Sequence, residues 1–173
     1  MAMNVKEFII SPKTTLSETL EVALTEVAFG YGEYEVVSKS PLSLCLSKRD
    51  GRLVIEGDSH VSIKTSCDLC CKDVTLDFPI EIRRSIPIID GELAECDDED
   101  STLAFEGFDL ETDRMVFDEI IEHWPMKILC REDCKGLCTK CGKDLNEGDC
   151  GCDTFVPDPR MAGFLDILNS MDD

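Results

Sequence analysis

The chain has 173 residues, 43% hydrophobic and 31% charged, the size and composition of one ordinary domain with a small appendage. No apolar run approaches the roughly 20 residues needed to cross a bilayer, and the opening MAMNVKEFIIS offers only Phe8, Ile9 and Ile10 where a secretory segment would stand, so a cytoplasmic protein is expected. A formal net charge of −20 argues against sequence-independent RNA or DNA binding, since such a surface repels phosphate, and favours a basic protein partner; solubility is the plainer explanation of the same acidity.

Leu16, Leu20, Ala23, Leu24 and Val27 follow helical spacing and predict a helix over 15–29, ended by Gly30 and Gly32. Leu20, Val22 and Leu24 also fit strand alternation. After Pro41 the pattern is that of a sheet. Leu42, Leu44 and Leu46 alternate, Asp50-Gly51 supplies a hairpin turn, and Leu53, Val54 and Ile55 resume a strand. Gly57-Asp58 offers a second turn. Val61 and Ile63 alternate before the chain reaches Cys67-Asp68-Leu69-Cys70-Cys71. Val74, Leu76, Phe78, Ile80 and Ile82 then give the best strand signal in the chain, which places the Cys67–Cys70 knuckle at a hairpin tip.

Residues 90–122 are mostly acidic, and Asp97-Asp98-Glu99-Asp100 reads as a solvated loop. A helix is expected from about Asp113 to Trp124, with Val116, Ile120, Ile121 and Trp124 on one side and Pro125 ending it. Trp124 reads as a packing residue. Last, Asp158 and Pro159 suit the start of a short helix with Met161, Phe164, Leu165 and Leu168 on its apolar face. No internal repeat is visible.

Eleven cysteines in a reducing compartment point to metal or redox chemistry more than to disulfides, and six of them fall between Cys130 and Cys152. Cys138-x2-Cys141-Gly142 is a knuckle that places two sulfurs on one cation, and Cys150-Gly151-Cys152 is a tighter pair. Together Cys138, Cys141, Cys150 and Cys152 read as one structural zinc site; iron in a rubredoxin-like site and free buried thiols are the alternatives. Cys67 and Cys70 need two further ligands, and Cys130 with Cys134 can supply them. The alternatives are a Cys67/Cys70 redox pair or idle thiols. Cys45 reads as a small strand residue, Cys71 as a spare beside the knuckle, and Cys96 as an unreactive thiol among acids.

A catalytic reading finds little support. His60 and His123 are the only histidines and read as surface residues; no H-E-x-x-H, Walker loop, G-x-G-x-x-G or G-x-S-x-G is present. Arg83-Arg84 with Lys64 and Lys72 is the nearest approach to a basic patch and reads as solvated strand charge.

These residues carry a family resemblance. Cys67-x2-Cys70, the stretch from Phe108-Asp109-Leu110 to Trp124-Pro125-Met126, the run from Cys130 through Gly142, Leu145 to Cys152, and Asp158-Pro159-Arg160 resemble the YceD family of large ribosomal RNA subunit accumulation proteins, from about Pro41 to Leu168. One departure is acidic Asp68, where relatives often carry a basic residue. The resemblance implies a cytoplasmic, non-enzymatic role in accumulating large-subunit (23S) ribosomal RNA. The combined expectation is an α+β chain: an antiparallel β meander with a few helices and an acidic loop over 1–126, and a zinc-ribbon-like segment with a terminal helix over 127–173. It would carry structural zinc in two sites and bind a basic ribosomal protein or a pre-ribosomal particle. Naked RNA, a membrane and a small-molecule substrate are not expected as partners. The rival reading is a thiol/zinc redox-responsive switch in which Cys67 and Cys70 oxidise and release metal.

Overall fold

The computed structural model describes residues 2–30, 32–94 and 105–152. The chain forms two compact units: Met1–Ser66 with Asp73–Ile128, and Cys67–Lys72 with Leu129–Asp173.

The first unit is built on antiparallel strands. β1 (Ala2–Asn4) leads into the short helix α1 (Lys6–Ile10), followed by β2 (Thr15–Leu20), β3 (Glu26–Phe29), β4 (Gly32–Lys39), β5 (Leu42–Arg49), β6 (Arg52–Ser66) and β7 (Asp73–Ile89). β8 (Glu92–Leu93), β9 (Phe105–Glu106), β10 (Asp109–Glu111) and helix α2 (Thr112–Glu122) complete it. β6 is the spine. β7 pairs along its whole length, while β5 and β4 share its other edge; β2 extends from β5 and β3 from β4. β1, β10 and β9 make a separate three-stranded sheet.

Strand alternation sorts the side chains. Leu42, Leu44, Leu46, Leu53, Ile55, Ile63, Ile80 and Ile82 are buried on one face, against Val116 and Ile120 of α2 in the same core. The other face carries Ser43, Glu56, Asp58, Lys64, Asp77 and Glu81, all exposed. The five-residue α1 leaves its last carbonyls without intrahelical partners. Lys48 Nζ supplies the missing donor, reaching the carbonyls of Phe8 (3.0 Å), Ile9 (3.2 Å) and Ser11 (2.5 Å), with its ammonium 5.0 Å from the Phe8 ring centre.

Several expectations hold. Asp50 and Gly51, at φ 51° and 72°, form a two-residue turn closed by Arg49 and Arg52. Val74 to Ile82 alternate in β7, and α2 ends before Pro125. Trp124 packs among Tyr34, Phe29 and Phe78, at ring-centre distances of 4.7, 5.6 and 5.6 Å. His60 and His123 are both exposed.

Two expectations are corrected. Residues 15–29 form no helix: β2 pairs with β5 from Thr15↔Ser47 to Leu20↔Leu42, and β3 pairs with β4. The Leu16–Leu20–Leu24 spacing of four satisfies a helix and is also even, so it satisfies a strand; pairing to β5 decided between them. Gly30 is the first residue of the β3–β4 hairpin turn, not a helix stop. Gly57-Asp58 is no turn either, because β6 runs straight through it. A Cβ on Gly57 would lie 3.1 Å from Leu44 Cδ1 and 3.3 Å from Leu42 Cδ1, so glycine there lets β5 side chains close over β6. The acidic loop at Asp97–Asp100, Cys96 and the helix expected after Asp158 lie outside the described residues.

Candidate metal centres

The β6–β7 hairpin tip and the segment after Leu129 together form the second unit. Its first sulfur cluster is Cys67, Cys70, Cys130 and Cys134; its second is Cys138, Cys141, Cys150 and Cys152. Within each cluster the four sulfurs all lie within 4.8 Å of one another. Those are the two sets the cysteine spacing suggests, with no residue exchanged between them. Cys71 is exposed and in neither set.

Each cluster is framed by the same turn. At the hairpin tip the Cys67 N–H donates to the Lys72 carbonyl (2.8 Å) and the Cys71 N–H to the Cys67 carbonyl (2.9 Å). In the second knuckle the Cys138 N–H donates to the Lys143 carbonyl (2.8 Å) and the Gly142 N–H to the Cys138 carbonyl (2.8 Å). The turn geometry exposes a short internal repeat that the sequence reading overlooked: CDLCCKDV from Cys67 matches CTKCGKDL from Cys138 in both cysteines and the Lys-Asp pair. The fifth position of the turn needs a left-handed backbone. Gly142 takes it at φ 72°, as only glycine does without strain, whereas Cys71 takes it at φ 58°. The Cys71→Gly variant is expected to stabilise the second unit by about 1 kcal/mol, since a non-glycine residue pays roughly 1–2 kcal/mol there. Thermal unfolding of the metal-loaded protein tests this; a loss of bound metal instead would make Cys71 a ligand.

The sulfur geometry of the first cluster fits a tetrahedral cation. Four sulfurs bound about 2.3 Å from one ion stand about 3.8 Å apart. Cys67 Sγ is 3.7 Å from Cys134 Sγ and Cys70 Sγ 3.5 Å from Cys130 Sγ, near that edge and far from the roughly 2.05 Å of a disulfide. The thiols are also electrostatically primed. Burial raises the Cys67 thiol, but the backbone N–H groups of Leu69, Cys130 and Cys70 outweigh it and bring it down to about 6. The N–H groups of Cys141 and Lys140, with the Cys150 thiol, draw Cys138 down to about 6. Opposite them, the Cys70 thiol and burial push Cys130 up to about 12, and the thiols of Cys141 and Cys150 push Cys152 up to about 12. Crowded sulfurs cannot all ionise without a cation among them, so a cation bound there at neutral pH would displace protons.

The clusters are tied to each other inside this unit. Leu137 N–H donates to the Leu69 carbonyl (3.0 Å), and a Cβ on Gly136, at φ 74°, would stand 2.9 Å from that same oxygen. Lys72 Nζ pairs with Asp144 at 2.7 Å, an ion pair that raises the lysine and lowers the carboxyl. Asn146, between Cys141 and Cys150, sends its amide NH2 to Cys134 Sγ (3.5 Å) and to Asp144 (2.7 Å). Its carbonyl oxygen accepts from Arg131 (2.7 Å) and from the Lys135 N–H (2.8 Å). Nothing local in the spacing of Asn146 marks it in the sequence as a partner of a cysteine twelve residues back.

A four-sulfur set would leave a tetrahedral cation no open position, and nothing but cysteine supplies the sets, so fold and clusters together define a cysteine-rich α+β protein with two clusters that could each hold a metal ion. The chain belongs to the YceD family, described as large ribosomal RNA subunit accumulation protein, which matches residues 55–168. That span includes β7, α2 and all eight clustered cysteines. No curated protein and no solved structure matches the chain.

Proposed function

We propose that this chain is a non-enzymatic ribosome-biogenesis factor: a zinc-stapled acidic adaptor that holds a basic ribosomal protein, or a pre-ribosomal particle through such a protein, while large-subunit 23S ribosomal RNA accumulates. The family supports the ribosomal setting. The observation that carries the adaptor reading is the polar face of the large sheet. Glu33, Glu35, Glu56, Asp58, Asp77 and Glu81 are exposed on it, and Lys64, Arg83, Arg49 and half-buried Arg52 are the counterweights. Lys64 is already engaged by Asp73 (2.8 Å) and Arg83 by Glu81 (3.4 Å). A surface of that sign attracts a cationic segment and repels an RNA backbone.

Zinc suits eight thiolate ligands in two closed sets, and it supplies folding energy with no reaction to perform. Among the described residues, the serine, histidine and aspartate that meet on the sheet face are not arranged to activate a nucleophile. Ser62 donates to Asp77 Oδ1 at 2.6 Å, and His60 Nε2 stands 3.4 Å from that same oxygen, so the hydroxyl proton is directed at the carboxylate and not at the imidazole. The redox-switch alternative needs an accessible low-pKa thiol, and Cys67 has the lowered pKa but is 1% exposed.

The test is capture of large-subunit components on the immobilised full chain at low and at high salt. Basic ribosomal proteins should be retained at low salt and lost at high salt. Salt-insensitive capture, or a preference for naked ribosomal RNA, would overturn the electrostatic part of the proposal.

A further inference from the structure

The geometry points to Asn146 as a positioning residue for the first sulfur site, through which metal loading at the second site tightens binding at the first. The inference rests on the two-site reading above and adds a coupling between the sites.

Asn146 belongs by sequence to the second site, in the loop closed by Cys141 and Cys150, and by hydrogen bonding to the first. Its NH2 group points at Cys134 Sγ from 3.5 Å. An N–H donor on a ligating thiolate stabilises the anion and fixes the direction of the sulfur, the effect of an outer-shell partner on any metal ligand. The same side chain accepts from the Arg131 guanidinium and from the Lys135 backbone N–H, which flank Cys134 on either side. One amide therefore sets the turn from which both Cys130 and Cys134 present their sulfurs.

Where Asn146 stands is decided by its own loop. Asp144 holds it twice, through its backbone N–H (2.8 Å) and its NH2 (2.7 Å), and the Leu145 N–H donates to the Gly136 carbonyl (2.9 Å). Among the described residues of this unit the buried side chains are Cys67, Cys70, Cys134 and Cys138. With no hydrocarbon core among those described residues to hold it, the loop takes its shape from the metal that joins Cys138 and Cys141 to Cys150 and Cys152. A loaded second site thus presents Asn146 to Cys134 in advance, and an empty one makes the first site order that contact during binding. By linkage the effect runs equally in the other direction.

The experiment is a cobalt(II) titration of the full chain, following the thiolate-to-cobalt charge-transfer band. The first site alone is read from the Cys141→Ser/Cys152→Ser variant and the second alone from Cys67→Ser/Cys70→Ser. The two-metal constant of the unaltered chain should exceed the product of the single-site constants about tenfold or more, the size of a lost outer-shell contact. Asn146→Asp keeps the acceptor for Arg131 and Lys135 but deletes the donor to Cys134, and should bring the ratio close to one; Asn146→Ala should do the same. Trp124 emission reports whether the sheet unit of each variant is intact. A two-metal constant equal to the product, or a coupling that survives both Asn146 variants, overturns the inference and leaves the two-site reading standing. No charge-transfer band at all sinks the two-site reading and the coupling with it.

Discussion

Stripping metal from the protein with a strong chelator is expected to open residues 129–152 to protease while the sheet unit stays folded. On the two-site reading proposed above, the two units hold together by different means. The first buries Leu44, Leu46, Leu53, Ile55, Ile80 and Ile82 to 2% exposure or less, each worth roughly 1.5–3 kcal/mol of transfer free energy. In the second the buried side chains among the described residues are cysteines, and Leu137 is 36% exposed. A structural zinc contributes about 10–16 kcal/mol apparent in small peptides, as much as the roughly 5–15 kcal/mol net stability of an ordinary domain. Without metal, each cluster is left, among the described residues, with four mutually repelling sulfurs and a handful of turn hydrogen bonds. Limited proteolysis followed by mass spectrometry should therefore locate new cuts after Leu129 and few before Ile128, reversed by adding zinc back. Identical cleavage patterns with and without chelator would sink the idea that metal holds this unit together.

The second large effect lies in the sheet unit. Arg84 Nη2 donates to Glu119 Oε1 at 2.6 Å, joining β7 to α2, and the Glu119 side chain is 5% exposed against 27% for Arg84. Breaking such a pair from one side costs about 3–5 kcal/mol, because the surviving charge stays buried without a partner. The asymmetry in exposure predicts which side matters more. Arg84→Met leaves a carboxylate with no route to water and should lower the melting temperature by roughly 10–15 °C. Glu119→Leu leaves a guanidinium already partly hydrated and should cost less. The double variant Arg84→Met/Glu119→Leu should recover most of the loss, since an apolar pair of similar volume avoids desolvation altogether. Thermal melts of the three variants, with metal in excess to keep the second unit loaded, decide it. Equal losses from the two single variants would place the pair in a more hydrated setting than its burial indicates.

Much of the fold was legible from short-range pattern. The alternation Val74–Ile82 in β7, the Asp50-Gly51 turn and the helix before Pro125 each depend on residues a few places apart, where backbone preference and side-chain period agree. The N-terminal third was misread because leucines four apart serve a helix or a strand equally, and the choice fell to β5, whose Leu42–Ser47 stretch lies more than twenty residues further on. Gly57 was misread for a related reason: glycine marks a turn when judged locally, but here it marks a close approach by Leu42 and Leu44 from the neighbouring strand.

The cysteine sets were readable for a chemical reason. A C-x2-C turn can hold two sulfurs on one ion wherever it lies, so the spacing alone nominated Cys67/Cys70 and Cys138/Cys141 as half-sites, with Cys130/Cys134 and Cys150/Cys152 left to complete them. What spacing carries no information about is the environment of a ligand. That Asn146 reaches Cys134, that Lys72 pairs with Asp144, and that Cys71 occupies the strained position Gly142 fills at ease all follow from chain segments brought together in space. The sequence by itself therefore determined which atoms can bind a cation and which strands can bury a face, since both depend on local geometry. Only the tertiary structure decided how those sulfurs are oriented and joined, because hydrogen bonds to them come from residues that approach only after the chain has folded.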